Sequence, residues 1–182
     1  MTKTWFTADT HYGHANIIKH CARPFADAGE MDAAMVANWN AVVQPDDDIW
    51  HLGDFSFRSA AATESYLGRL NGRKHLIWGN HDSEASRSAP GWASSQAYAE
   101  VTVGGQRLVL LHYAMRVWPG SRRGALHLYG HSHGKLPGDR LSCDVGVDVW
   151  GFRPVGLDEI RRYLAKLPER ADEHAGARER AP

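Results

Sequence analysis

The sequence predicts a layered α/β domain, built on a mixed sheet or on two packed sheets. Three observations carry this. Strand-type and helix-type stretches alternate in the first half of the chain, whereas strand-type runs follow one another directly in the second. Five apolar runs end abruptly in Asp, Asn or His, as expected where a site gathers beyond the carboxyl ends of strands. The 182 residues, 43% of them hydrophobic and 23% charged, suit one domain with its own core and would crowd two.

The elements follow in order. "KTWFTAD" (3–9) is a short β-type run ending in Asp9, and "HYGHANIIKHC" (11–21) is a loop entering a short helix. In "GEMDAAMVANWNAVV" (29–43) the three-four spacing of Met31, Ala34, Met35, Trp39 and Val42 predicts a helix. "DDDIWHLGD" (46–54) is a turn and a strand ending in Gly53 and Asp54. "SAAATESYLGRL" (59–70) is helical, with Gly72 just past its end. "KHLIWGN" (74–80) is a strand, and the Ser-rich "SEASRSAPGWASSQ" (83–96) reads as loop or frayed helix. "AEVTVGGQRLVLLHY" (99–113) is a hairpin about Gly104 and Gly105. "ALHLYGHSHG" (125–134) is a strand ending in polar residues, and "LSCDVGVDVW" (141–150) is one more strand and a turn. "LDEIRRYLAKL" (157–167) closes a domain spanning 1–167 with a helix. The segment 168–182 is charged, lacks an apolar face, and reads as a disordered tail.

Composition excludes some classes of function. The formal net charge is zero, so no global field draws in a polyanion, and no obligatory nucleic-acid partner is expected. Cys21 and Cys143 show neither metal-type spacing nor a disulfide framework, and read as reduced thiols. There is no membrane-length apolar stretch, and the first residues lack a signal-peptide core, so a cytoplasmic protein without a membrane partner is expected. The 11 histidines are unusual, because most stand beside Gly, Asp or Asn at the ends of apolar runs.

The residues at those endings are Asp9 and His11; Asp54; Asn80 and His81; His112; His131 and His133. Side chains two apart on an extended segment point the same way, so Asp9-x-His11 and His131-x-His133 can each offer two groups to one place. Imidazoles, carboxylates and one amide suit a borderline divalent ion such as Mn, Fe, Ni or Zn. Even without His81, the seven remaining groups are too many for one ion with an open position, and suit two if one carboxylate bridges. Gly53, Gly79 and Gly130 precede them, where the backbone must turn sharply or approach closely. A single histidine at a strand end is more often structural, and His20, His75, His127 and His174 are read that way. The joint occurrence of all five endings is what points to a site.

In order, "ADTH" (8–11), "LGD" (52–54), "GNHD" (79–82), "LLH" (110–112) and "GHSH" (130–133) resemble the motifs of the calcineurin-like metallophosphoesterase superfamily. "GVDVWGFRPV" (146–155) is similar to the close of its small bacterial and phage members. The resemblance implies a four-layer α/β/β/α sandwich, with two packed mixed sheets flanked by helices. It implies two divalent ions, with Mn favoured. One would be held by Asp9, His11, Asp54 and His133, the other by Asp54, Asn80, His112 and His131, with Asp54 bridging. His81 would face the substrate, and Asp82 would orient the His81 ring. The implied reaction is hydrolysis of a small phosphate ester by a metal-bridging hydroxide, a phosphodiester such as a nucleotide derivative being favoured.

Other readings are weaker. "GHSHG" (130–134) also fits the nucleophile elbow of serine hydrolases, but that elbow needs a following helix, and Pro137 and Gly138 intervene. A non-catalytic scaffold of the same superfamily would be expected to lack some of these residues. A nuclease would be expected to carry extra DNA-binding segments, and a phosphomonoesterase remains a sister reading. For the substrate, His14 is placed either to line the pocket or to cap the following helix, and Asn16 to cap it. Arg23 and Arg58 are candidates for a substrate phosphate, as surface salt bridges are for them equally. His51 is placed to back the site, and Tyr113 and Trp118 to offer stacking faces.

Overall fold

A computed structural model describes residues 2–57 and 60–169. The candidate residue Arg58 and all of the proposed tail after Glu169 lie outside the described residues. Among the described residues no helix is long and apolar enough to cross a membrane.

Among the described residues, nine strands form two mixed sheets. The first has the order β4 (Trp92–Gln96), β3 (Arg73–Ile77), β2 (Asp48–His51), β1 (Thr4–Thr7) and β9 (Val155–Gly156). β1 to β4 run parallel, and β9 is antiparallel to β1. The second has the order β5 (Ala99–Val103), β6 (Gln106–Leu110), β7 (Leu126–Tyr129) and β8 (Ser142–Asp144). Only the β5–β6 pair in it is antiparallel. The hairpin turn pairs Val103 with Gln106, and both intervening glycines take positive φ, the geometry of a primed two-residue turn.

The two sheets face each other across a buried layer that includes Phe6, Leu52 and Ile77 from the first and Leu108, Leu110 and Leu128 from the second. Helix α5 (Leu157–Leu164) closes one edge of this layer with Ile160 and Leu164. The outer face of the first sheet carries α1 (Ala15–His20), α2 (Ala28–Val42) and α3 (Ala60–Leu67). α2 shows why sequence spacing suffices there. Met31, Met35 and Trp39 recur every four residues and are buried, and the Asp27 side chain accepts the Glu30 N–H at 2.9 Å to cap the first turn. On the outer side of the second sheet, Trp118 and Ala125 cover Val109 beside a short 3-10 turn at Ser121–Arg123.

The expected architecture of two mixed sheets flanked by helices is therefore present. Two strands were not anticipated. The Ser-rich segment forms a four-residue helix α4 (Glu84–Arg87) and then edge strand β4, whose polar residues carry no alternation to read. β9 is only two residues long, too short for any period.

Candidate metal and phosphate site

All five polar strand endings meet at one end of the two sheets. β1, β2 and β3 of the first sheet and β6 and β7 of the second run in parallel groups, so their carboxyl ends open on a common crevice. Pairing continues beyond the strands. The N–H of Asp9 donates to the Gly53 carbonyl and that of His11 to the Asp54 carbonyl, each at 3.0 Å. The main chain there is unusual: Asp9, His11, Asp54, His131 and His133 all have φ between 48° and 66°. Left-handed backbone at non-glycine residues is strained and concentrates at functional sites.

Buried carboxylates hold these turns. Asp9 accepts the His131 N–H on both oxygens, at 3.1 and 2.9 Å, which ties the first sheet to the second. Asp54 Oδ1 accepts the His81 N–H at 2.8 Å. Two glycines permit the close approach. A Cβ on Gly130 would stand 2.6 Å from Asp9 Oδ2, and one on Gly79 would collide with Asp54 Oδ1.

The side chains form two groups with one carboxylate between them. Asp9, His11 and His133 bring one donor atom each to within 4.8 Å of one another, and so do Asp54, His112 and His131. Asp54 Oδ2 stands 3.6 Å from His11 Nε2 of the first group and 3.5 Å from His112 Nε2 of its own. Asn80 Oδ1 lies 3.1 Å from His112 Nε2. His112 donates Nδ1–H to the Leu52 carbonyl at 2.6 Å, which turns Nε2 toward Asp54 and Asn80. His81 is exposed at the rim, its ring 5.4 Å from that of His11.

The donor chemistry fits divalent cations. Burial pushes His11 down to about 3, and burial with neighbouring His112 lowers His131, so both imidazoles are neutral at neutral pH. His11 Nε2 is buried without a hydrogen-bond partner, an orphaned lone pair of the kind a cation satisfies. Burial, followed by the charges of Asp144 and Asp54, raises Asp9 well above its ordinary value. Burial would raise Asp54 too, but His112, the His81 N–H and His11 outweigh it and hold Asp54 well below the usual carboxylate range.

Each expected metal ligand is thus brought to the crevice, and several neighbouring expectations are corrected. Asp82 does not orient His81. Its carboxylate accepts the N–H groups of Gly79, Asp54 and Phe55 at 2.8, 2.9 and 3.0 Å, clamping the β2 and β3 turns together. Arg23 does not face a substrate. It is buried, and its donors reach Asp148, the Asp9 and Thr10 carbonyls and the Met31 sulfur. Trp118 offers no open stacking face: it is buried against Val109, with its indole N–H on the Ala125 carbonyl. Asn16 is not the cap of α1. His14 holds that position without a side-chain cap bond, its ring stacked on Phe57 and 5.6 Å from His11. Tyr113 does stand at the rim, 45% exposed and edge-on to His131. His51 backs the site by its bond to Thr10, at 3.0 Å.

Two carboxylates escaped sequence reasoning. Asp144 accepts from the Ser132 hydroxyl at 2.6 Å and from the N–H of Gly134 and Gly146, so it shapes the His131–His133 turn. Asp148 lies 2.7 Å from His133 Nδ1. Burial favours its neutral form, but His133 and Arg23 hold it below the usual carboxylate range. Both sit in "CDVGVDV", where a strand-like alternation of Asp with Val was the available signal. The Cys21 sulfur also comes within 4.8 Å of donor atoms of His133 and Asp148.

Known proteins resemble this chain over most of its length. A family model described as the calcineurin-like phosphoesterase superfamily domain matches residues 3–143. An uncharacterized protein of Methanocaldococcus jannaschii is 31% identical over 175 residues, covering 91% of this chain and 93% of its own length. The gene 66 protein of Mycobacterium phage L5 is 31% identical over 209 residues, covering 96% of this chain and 100% of its own. The crystal structure of a protein of unknown function from Aquifex aeolicus superposes with a TM-score of 0.70 at 23% identity, covering 90% of this chain and all of that one. The chain belongs to the calcineurin-like phosphoesterase superfamily.

The Asp9 electrostatics generate a test. A carboxyl whose folded pKa is raised contributes most stability at low pH and loses it as pH rises through the folded value. Above its ordinary value and without metal, Asp9 therefore opposes folding, because the folded chain resists its ionisation. Asp9→Asn is expected to melt higher than the parent in EDTA and to gain less on addition of Mn. Paired thermal melts check this; a lower Tm in EDTA would show that the carboxylate's bonds to the His131 N–H outweigh its repulsion.

Proposed function

We propose that this superfamily member hydrolyses a small phosphodiester, with nucleotide derivatives the first class to screen. The observation that carries the reading is Asp54 Oδ2 standing between the two imidazole–carboxylate groups, with the exposed His81 ring at their rim. Asp9, His11, Asp54 and His133 would hold one divalent cation and Asp54, Asn80, His112 and His131 a second, Mn favoured; when bound, such a pair supplies Lewis-acid polarisation of phosphoryl oxygens and a nucleophilic water at neutral pH.

The remaining chemistry falls to the chain's own side chains. His81 reaches the crevice from the solvent side while its main-chain N–H is fixed on Asp54 Oδ1. That leaves the ring free to hydrogen-bond a phosphoryl oxygen or to protonate the leaving oxygen, work worth roughly 10²–10⁴-fold in rate. Asp82 keeps the turn in place through its three main-chain bonds, so it supports His81 through backbone position rather than through the ring. His14 and Tyr113 flank the opening and are the side chains best placed to meet the substrate beyond phosphate. Asn80, His81 and His131 are exposed, which supports an open site able to admit both arms of a diester.

Protein stripped with a chelator and reloaded with Mn is expected to turn over bis-p-nitrophenyl phosphate faster than p-nitrophenyl phosphate. The opposite preference would move the substrate to the monoesters. His81→Asn is expected to keep its Mn stoichiometry while kcat on the diester falls by roughly 10²–10⁴-fold. Turnover near that of the parent would remove His81 from the chemical step.

A further inference from the structure

A chain of three side chains, His133, Asp148 and Arg23, runs inward from the first group of donors to a buried guanidinium. His133 places Nδ1 2.7 Å from Asp148 Oδ2. Asp148 is gripped in turn by Arg23, with Nε on Oδ1 and Nη2 on Oδ2, each at 2.8 Å. The Arg23 side chain is fully buried and that of Asp148 is 9% exposed. The other Arg23 donors bind the Asp9 carbonyl at 2.7 Å and the Thr10 carbonyl at 3.0 Å, within the very turn that carries Asp9 and His11. One guanidinium therefore sets both halves of the first group: the turn directly, and His133 through Asp148.

Chemistry gives this contact a consequence. A carboxylate on Nδ1 keeps a proton there, so Nε2 retains its lone pair and the ring cannot rotate. The His133 ring lies 5.4 Å from that of His11, nearly parallel to it. In the second group the matching role falls to a neutral acceptor, the Leu52 carbonyl on His112 Nδ1. A charged acceptor raises the basicity of the imidazole opposite it more than a carbonyl does.

We propose that Asp148, held by Arg23, is a positioning residue that acts through His133 to set the divalent-cation affinity of the Asp9–His11–His133 group. The inference rests on the proposed reading of His133 as a ligand. It concerns a residue that would touch neither cation nor substrate.

The test is a calorimetric titration of the chelator-stripped full-length chain with Mn. The parent, Asp148→Asn, His133→Ala and the double variant are compared, each checked for folding by circular dichroism. Asp148→Asn is expected to weaken one of the two binding events by about 10–100-fold and to leave the other unchanged. In the His133→Ala background the same substitution is expected to add little, because the two act as one unit. Unchanged affinity in Asp148→Asn, or losses that multiply in the double variant, would overturn the proposal while leaving His133 as a ligand. Unchanged affinity in His133→Ala would overturn the ligand reading as well. Should Asp148→Asn fail to fold, the parent protein supplies the decision. Long-range proton–nitrogen correlation on the Zn-loaded chain is expected to show His133 protonated at Nδ1 and unprotonated at Nε2. An unprotonated Nδ1 would contradict it.

Discussion

Buried carboxylates that accept main-chain N–H groups hold this site together, and the rest of the crevice depends on them. Asp82 joins the β2 and β3 turns, Asp9 joins the two sheets at His131, and Asp144 shapes the turn between His131 and Gly134. Their counterpart is strain. Each non-glycine residue held at positive φ costs of order 1–3 kcal/mol, and five of the seven candidate ligands are held so. A hydrogen bond to a charged group contributes about 1.5–3 kcal/mol. The two magnitudes are alike, so the strained turns persist because the carboxylates beneath them are fully engaged. The glycines matter for the same reason. Gly130 and Gly79 let Asp9 and Asp54 lie close against the next turn, where any side chain would collide.

Much of this was legible in the chain. A strand announces its end when an apolar run stops, and residues two apart share a face. That was enough to collect the seven donors and to place them at the carboxyl ends of strands. α2 and the β5–β6 hairpin were legible for similar reasons, one through its four-residue period and the other through two adjacent glycines. What could not be read was partnership across long separations. Arg23 and Asp148 are 125 residues apart, and no local pattern says that one will be buried against the other. An arginine near a phosphate site suggests substrate; only the fold shows its donors already taken. Asp82 misled in the same way. Standing beside His81 in the sequence, it invited a pairing, yet its carboxylate turns inward to backbone N–H groups.

Substrate contact and structural support thus divide by depth. Residues that reach the opening, His81, His131, Asn80 and Tyr113, are exposed and lie on turns. Residues that aim them, Asp82, Asp144, Arg23 and His51, are buried. The buried set keeps the donors in place while the exposed set meets what enters the crevice.

The buried set also determines what a metal-free chain must tolerate. Asp9, Asp54 and Asp144 approach one another closely enough that the charges of the other two raise Asp9; burial keeps the His11 imidazole neutral, whereas Asp54 lifts His112 against its burial. Arg23 lies beside this cluster, but its guanidinium meets the Asp9 main chain and the Asp148 side chain. Ionisation of Asp9 is therefore opposed by its surroundings, whereas that of Asp54 is favoured by His112 and His11. A polar interior that opposes its own folding is unusual unless something binds there, because a rearranged turn or a lysine would relieve it at little cost. Binding of cations converts that liability into affinity: the less the fold neutralises Asp9 by itself, the more of its charge remains for the ion.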